Sequence, residues 1–139
     1  MTGRCYCGAV TFSTTRPPQT VAYCHCNDCR RVSGAPVSAL AAFAKNDLVW
    51  SPELGAGVSH NEGVKRWFCQ SCGSPLAAWY AYLPDQIYVP VGLFDNASEL
   101  APESHSHGGS QLAWLHMSDD LPRSEGSNRD ALSEAAQTR

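Results

Sequence analysis

Seven cysteines in three tight clusters are the residues of this sequence with the most evident chemistry. The clusters have the patterns C-x-C, C-x-C-x-x-C and C-x-x-C: Cys5 and Cys7; Cys24, Cys26 and Cys29; Cys69 and Cys72. Thiolates spaced two or three residues apart can bend onto one metal ion, so this spacing is typical of zinc sites. The seven ligands divide into a set of four and a set of three, which predicts two zinc ions per chain.

The first and last clusters have a common design, since a glycine directly follows each pair, as Gly8 and Gly73. Glycine permits a tight turn that brings backbone N–H groups close to the sulfurs. Together the two pairs predict a closed tetrahedral site of a structural kind. Metal-free redox chemistry is the alternative for a C-x-x-C pair, but the flanking glycines favour zinc.

The middle cluster has only three cysteines, close enough to form a tripod on one ion. Three protein ligands and one open position are typical of a catalytic zinc. Three thiolates make the ion a softer Lewis acid than three imidazoles would, which favours an incoming sulfur ligand. The sequence therefore predicts a second zinc, held by Cys24, Cys26 and Cys29, with a vacancy for a substrate.

A fourth protein ligand would instead close this second site. Asp28, His60, His105 and His107 are candidates. His25 is a poor one, because adjacent residues tend to point in opposite directions. His105 and His107 precede two glycines, so a surface loop is the simpler interpretation of that segment.

The elements that must position these clusters are mostly strands. Alternating or β-branched runs predict strands at residues 9–13, 21–23, 37–43, 48–50, 76–82 and 86–93, and residues 64–68 lead into the last cysteine pair. One helical turn is expected at residues 27–31, capped by Asn27 or Asp28. The four tryptophans are expected in the core or at its rim, with Trp67 and Phe68 beside the four-cysteine site. Residues 130–137 could form a short surface helix.

Composition narrows the function classes. The chain has 139 residues, enough for one domain, and a net charge of −3 that thiolate–zinc sites would make more negative. This disfavours nucleic-acid binding, which needs a basic face. No segment has the length of a membrane span, and an odd cysteine number without an apolar leader predicts reduced thiols in the cytoplasm.

Three segments, residues 3–12, 24–30 and 68–76, resemble the glutathione-dependent formaldehyde-activating enzyme family, which includes centromere protein V-like proteins. Trp114 and residues 119–122 give a weaker match. The resemblance implies a mainly β, Mss4-like fold of antiparallel sheets with zinc-binding loops and few short helices. It places this domain at residues 1–122, followed by a tail at 123–139 that is flexible or forms a short surface helix.

The resemblance also implies that Cys5, Cys7, Cys69 and Cys72 hold a structural zinc, and that Cys24, Cys26 and Cys29 hold a catalytic one. The implied activity is that of a carbon–sulfur lyase acting on thiol–aldehyde adducts such as S-hydroxymethylglutathione, with glutathione or another small thiol and an aldehyde as partners. Two alternatives stand beside it: a zinc-stabilised binding module without catalysis, and a thiol-based zinc or redox sensor.

Overall fold

The structure, a computed structural model, describes residues 1–128. Within that range the chain forms one seven-residue α-helix, α1 (Asn27–Ser33), and otherwise consists of short strands and loops. The strands are β1 (Thr2–Arg4), β2 (Thr11–Ser13), β3 (Thr20–Cys24), β4 (Ser38–Ala44), β5 (Val49–Ser51), β6 (Val64–Phe68), β7 (Pro75–Tyr80), β8 (Gln86–Pro90) and β9 (Ser104–Ser106). Three 3₁₀ turns lie at Val91–Leu93, Ala97–Glu99 and Gly108–Ser110.

The strands form two sheets. The small sheet has the order β1-β2-β5, and the large sheet has the order β6-β7-β8-β4-β3-β9. Every pairing between these strands is antiparallel except that of β3 with β9, which runs parallel. The mainly β architecture expected from the sequence is therefore confirmed, with one parallel edge pair added.

Strand β4 shows how the large sheet is covered on both faces. Ala41 and Phe43 belong to the main hydrophobic cluster, which also contains Phe12 of the small sheet. Ala42 points the other way and packs with Tyr88 in a second cluster. Alternate side chains of a strand face opposite sides of the sheet. The side chains on this second face line the cavities that are described below.

Most predicted strands lie within two residues of the observed ones, but three strands, β1, β6 and β9, were not predicted. The helix also begins differently from the prediction. Cys26, rather than Asn27 or Asp28, is its N-cap, because Cys26 is extended and its sulfur accepts the N–H of Cys29 at 3.2 Å. The middle cysteine of the second cluster is thus also the N-cap of the helix.

The C-terminal part of the described chain runs along β9. Ser124 donates its backbone N–H to the His105 carbonyl at 3.0 Å, and His107 donates to the Gly126 carbonyl at 2.7 Å. The helix predicted at residues 130–137 lies outside the described residues. None of the described helices is both long and apolar enough to cross a membrane.

Candidate metal centres

The four cysteines of the outer clusters meet in space. The chain brings the turn between β1 and β2 against the turn between β6 and β7, and the Sγ atoms of Cys5, Cys7, Cys69 and Cys72 lie within 4.8 Å of one another. The Sγ–Sγ distances are 3.7 Å from Cys5 to Cys7 and 3.8 Å from Cys7 to Cys69. Tetrahedral Zn–S bonds of about 2.3 Å place sulfurs about 3.8 Å apart, so the geometry fits zinc.

Both turns have the backbone form expected from their glycines. Gly8 and Gly73 have φ values of 80° and 78°, a region that glycine adopts without steric cost. In the first turn the N–H of Val10 approaches the Cys5 sulfur at 3.3 Å. In the second turn the Ser74 hydroxyl lies 3.1 Å from the Cys72 sulfur. These donors stabilise thiolates, which is the state that binds metal.

Trp67 packs against this site as expected, since it contacts the small cluster formed by Cys5, Cys69 and Leu76. Trp50 packs there too, while Trp79 is half-buried. The expectation for Trp114 was wrong. Its side chain is 64% exposed, because it lies in an irregular segment that no sheet covers.

The middle cluster is built locally. Cys24 ends β3, Cys26 caps α1, and Cys29 lies in the first helical turn, with their Sγ atoms again within 4.8 Å of one another. We call this group the cysteine tripod. Within residues 1–128 no histidine, aspartate or glutamate atom joins it at that distance, so Asp28, His60, His105 and His107 do not close the site.

The tripod thiols oppose one another's ionisation. Hydrogen bonds from Cys24 and Cys29 hold the pKa of Cys26 far below its usual range. Cys26 raises the pKa of Cys24, and Cys24 and Cys26 together raise the pKa of Cys29, with burial adding to the rise in both cases. Three sulfurs that compete for one negative charge are a donor set suited to a thiophilic divalent ion.

A buried chain of imidazoles lies beneath the tripod. His25 and His105 are both 0% exposed, and His25 Nε2 lies 2.7 Å from His105 Nδ1. His105 Nε2 lies 3.0 Å from the Asp119 carboxylate, which Arg123 also contacts at 2.9 Å. His105 was expected in a surface loop. It is buried instead, because β9 pairs with β3 along the tripod's own strand.

The direction of the hydrogen bonds between the two imidazoles follows from the negatively charged Asp119 at one end. The hydrogen bond from His105 lowers the pKa of Asp119 to about 2, so the carboxylate accepts the Nε2–H of His105. Burial, followed by the neighbouring His105, lowers the pKa of His25. When both rings are neutral, His25 Nε2 therefore donates to His105 Nδ1. The buried Nδ1 of His25 is left without a hydrogen-bond partner among the described residues.

The tripod opens onto a cavity of about 260 Å³. Cys24, Cys26 and Cys29 line it, together with Asp28, Arg66 and His107 and three tyrosines, Tyr80, Tyr82 and Tyr88. Burial raises the pKa of Tyr80, and the nearby Cys29 adds to this, so the phenol keeps its proton at neutral pH. We call this space the tripod cavity.

Sequence reasoning missed Arg66 and Tyr80 as site residues. Arg66 belongs to a Lys-Arg pair that resembles ordinary surface charge, yet its guanidinium lies 6.0 Å from the Tyr80 ring centroid and lines the cavity. No carboxylate among residues 1–128 pairs with Arg66. Alternation along β6 and β7 would have placed both residues on one face, but only the pairing of those strands shows that this face meets the tripod.

Comparisons with known proteins agree with this picture. A family model described as "Glutathione-dependent formaldehyde-activating enzyme" matches residues 1–110. A crystal structure of a Rhodobacter sphaeroides protein is similar in fold, with a TM-score of 0.52 and 21% sequence identity, covering 89% of this chain and 100% of that one. No curated protein matches the chain significantly.

Proposed function

The chain belongs to the glutathione-dependent formaldehyde-activating enzyme family, and from that premise we propose that it is a zinc-dependent carbon–sulfur lyase. Its proposed substrates are adducts of a small thiol with an aldehyde, of the S-hydroxymethylglutathione type. The same centre would form such adducts in the reverse direction. Cys5, Cys7, Cys69 and Cys72 would hold a structural zinc, and the tripod a catalytic one.

One observation carries this proposal. The three tripod sulfurs have no fourth side-chain ligand among residues 1–128, and they form part of the wall of a cavity. A zinc ion held there would supply a Lewis acid with an open position, beside which a thiol loses its proton more easily. A site with four protein ligands would offer no such position.

The surrounding residues supply the rest of the chemistry. In adduct formation the thiolate sulfur bonds to the carbonyl carbon, and the carbonyl π electrons move to oxygen, which takes a proton. Tyr80 keeps its phenolic proton and is therefore suited to hydrogen-bond the oxygen as its charge develops. In the lyase direction the hydroxyl loses its proton as the carbon–sulfur bond breaks.

Arg66 is suited to hold the thiol. It is a half-buried cation in the cavity wall, without a carboxylate partner among the described residues. A guanidinium binds a carboxylate through two parallel hydrogen bonds, which would orient a thiol such as glutathione by one of its carboxylates. Asp28, on the same cavity, carries the charge that would attract an ammonium group.

The test is acceleration of adduct exchange by the zinc-loaded protein. NMR exchange spectroscopy on glutathione and formaldehyde measures formation and breakdown of the adduct directly. We expect a rate above the spontaneous one that falls at least about 100-fold in Cys26→Ser. His60→Gln, a change at an exposed histidine outside both clusters, should leave the rate unchanged. A catalysed rate that survives Cys26→Ser would contradict the proposal.

Cobalt substitution separates the enzyme from a binding module. A tripod with an open position should change its visible absorption when a thiol is added, while a site closed by the protein should not. The four-cysteine site provides the internal control, since its spectrum should stay constant in both cases.

A further inference from the structure

A second cavity adjoins the tripod cavity, with a volume of about 220 Å³. Both cavities share the walls formed by Cys29, Leu40, Arg66, Tyr80 and Tyr88. A tripod ligand, Cys29, therefore lies at the boundary between them. Any group attached to a carbon that reacts at the tripod could extend into this second space, which we call the apolar chamber.

Outside the wall that it shares with the tripod cavity, where Arg66 and Tyr80 lie, the apolar chamber offers almost no free hydrogen-bonding groups. The Ser33 hydroxyl donates to the Cys29 carbonyl at 2.7 Å, and the Ser38 hydroxyl donates to Ser33 at 3.2 Å. Trp67 directs its indole N–H to the Gly55 carbonyl at 3.0 Å, and Tyr88 donates to Gln86 at 2.8 Å. These polar atoms are already paired, so a polar substituent would lose its hydrogen bonds to water and gain few in return.

The size of the chamber is the second argument. An apolar cavity of about 150 Å³ holds a benzene ring, so this one is large enough for an aromatic or medium-length alkyl group. Trp67, Phe68 and Tyr80 provide aromatic surface for such a group. The hydroxymethyl group that formaldehyde leaves on a thiol would fill little of it.

We propose that the apolar chamber binds an apolar substituent on the aldehyde carbon, so that the preferred substrates are adducts of larger apolar aldehydes rather than of formaldehyde. The proposal rests on the lyase function proposed above, because it takes the tripod as the reaction centre. The site would then discriminate between aldehydes through the chamber and recognise the thiol through the tripod cavity.

Unreactive thioethers test the chamber without relying on catalysis. S-benzylglutathione carries a ring in place of the apolar substituent, whereas S-methylglutathione carries only the reacting carbon. Calorimetric titration of the zinc-loaded protein should show at least about tenfold tighter binding of the benzyl compound. Equal affinities, or no measurable binding of either compound, would overturn the proposal.

The variant Gly92→Leu adds a bulky apolar side chain to the chamber wall. Gly92 lines it, and a Cβ at that position meets no atom within 4 Å. We expect the variant to remove the preference for the benzyl compound and to leave binding of the methyl compound within about twofold. Ala35→Leu, at another position that lines only this chamber, should act in the same direction. Ala101→Leu, at an exposed position outside both cavities, is the matched control.

The outcomes distinguish this inference from the lyase function. Catalysis of formaldehyde adducts with no benzyl preference would overturn the chamber proposal alone. A benzyl preference that Gly92→Leu removes, without catalysis of any adduct, would support the chamber and reject the lyase. Gly92→Leu could instead convert a dimer to a monomer and leave thioether binding unchanged. The chamber would then be a contact surface for a second copy of the chain, and the proposal would be overturned.

Discussion

The two cysteine clusters use the same ligand atom in opposite structural settings. The four-cysteine site joins two turns that are 62 residues apart in sequence, from Cys7 to Cys69, and packs against core residues. The tripod takes all its ligands from six consecutive residues and faces a cavity. One cluster connects distant parts of the chain, whereas the other adds no long-range connection.

Under the proposed function, this difference means that ligand type alone does not determine the role of a zinc site. A bond between distant segments removes much conformational freedom from the unfolded chain, whereas a bond within one short segment removes little. Open space next to the ligands matters for substrate access and not for stability. The two clusters should therefore respond differently to the same substitution.

The largest expected effect is loss of the four-cysteine site. Cys69→Ser should lower the free energy of unfolding by at least about 3 kcal/mol, because the two turns are no longer joined through metal. Thermal unfolding of the zinc-loaded variant, with its zinc content measured in parallel, tests this.

Cys24→Ser is the matched control, since it removes one thiol from the tripod. We expect it to lose one zinc ion but to unfold within about 1 kcal/mol of the unmodified chain. Equal destabilisation by the two substitutions would contradict the division of roles between the clusters.

The next effect concerns the imidazole chain beneath the tripod. His105→Ala removes the partner of His25, which stands between two tripod ligands in sequence. We expect zinc affinity at the tripod to fall about 10- to 100-fold, because the ligand loop loses its support. Competition with a chromophoric chelator measures each site in turn.

Affinity at the four-cysteine site should not change in this variant, and His60→Ala should change neither site. Equal loss of affinity at both sites would show that His105→Ala damages the whole fold instead of the tripod loop alone.

Local spacing predicted the membership of the tripod, whereas the four-cysteine cluster was predicted from the glycine that follows each of its two distant pairs. Most of the strands between β2 and β8 were also predictable, since runs such as residues 9–13 carry alternating or β-branched side chains. Strand β9 was not, since Ser-His-Ser has no such signal. It becomes a strand through its pairing with β3 and its hydrogen bonds to the segment at residues 122–124.

The residues that line the tripod cavity could not be predicted from the sequence for the same reason. Arg66, Tyr80 and His107 come from three separate parts of the sequence, and no local pattern connects them. His107 has a φ of 55°, unusual for a residue other than glycine, and that conformation is set by the turn it enters. Long-range pairing, rather than local propensity, brings these side chains to the cysteine tripod.

A smaller effect on stability is expected when a glycine in a turn of the four-cysteine site is replaced. Gly73→Ala should cost about 1 kcal/mol of stability, because φ is 78° there although no atom lies within 4 Å of the added Cβ. Gly92→Ala, at a position with equal space and no positive φ, should change stability by less than about 0.5 kcal/mol. Chemical denaturation of the zinc-loaded variants compares them, and equal effects would show that backbone strain is not the cause.

The smallest effect concerns the anionic end of the imidazole chain. Hydrogen bonding from His105 lowers the pKa of Asp119 to about 2, against about 3.9 in an unfolded chain. A lowered carboxyl pKa stabilises the fold above the unfolded value, and this stabilisation is lost as pH falls towards the folded value. The stability difference between the unmodified chain and Asp119→Asn should therefore be constant from about pH 8 to pH 5 and shrink only below about pH 4. Denaturant titrations at each pH measure it. A difference that changes between about pH 7 and pH 6 would contradict the assignment of this pH dependence to the Asp119 carboxyl.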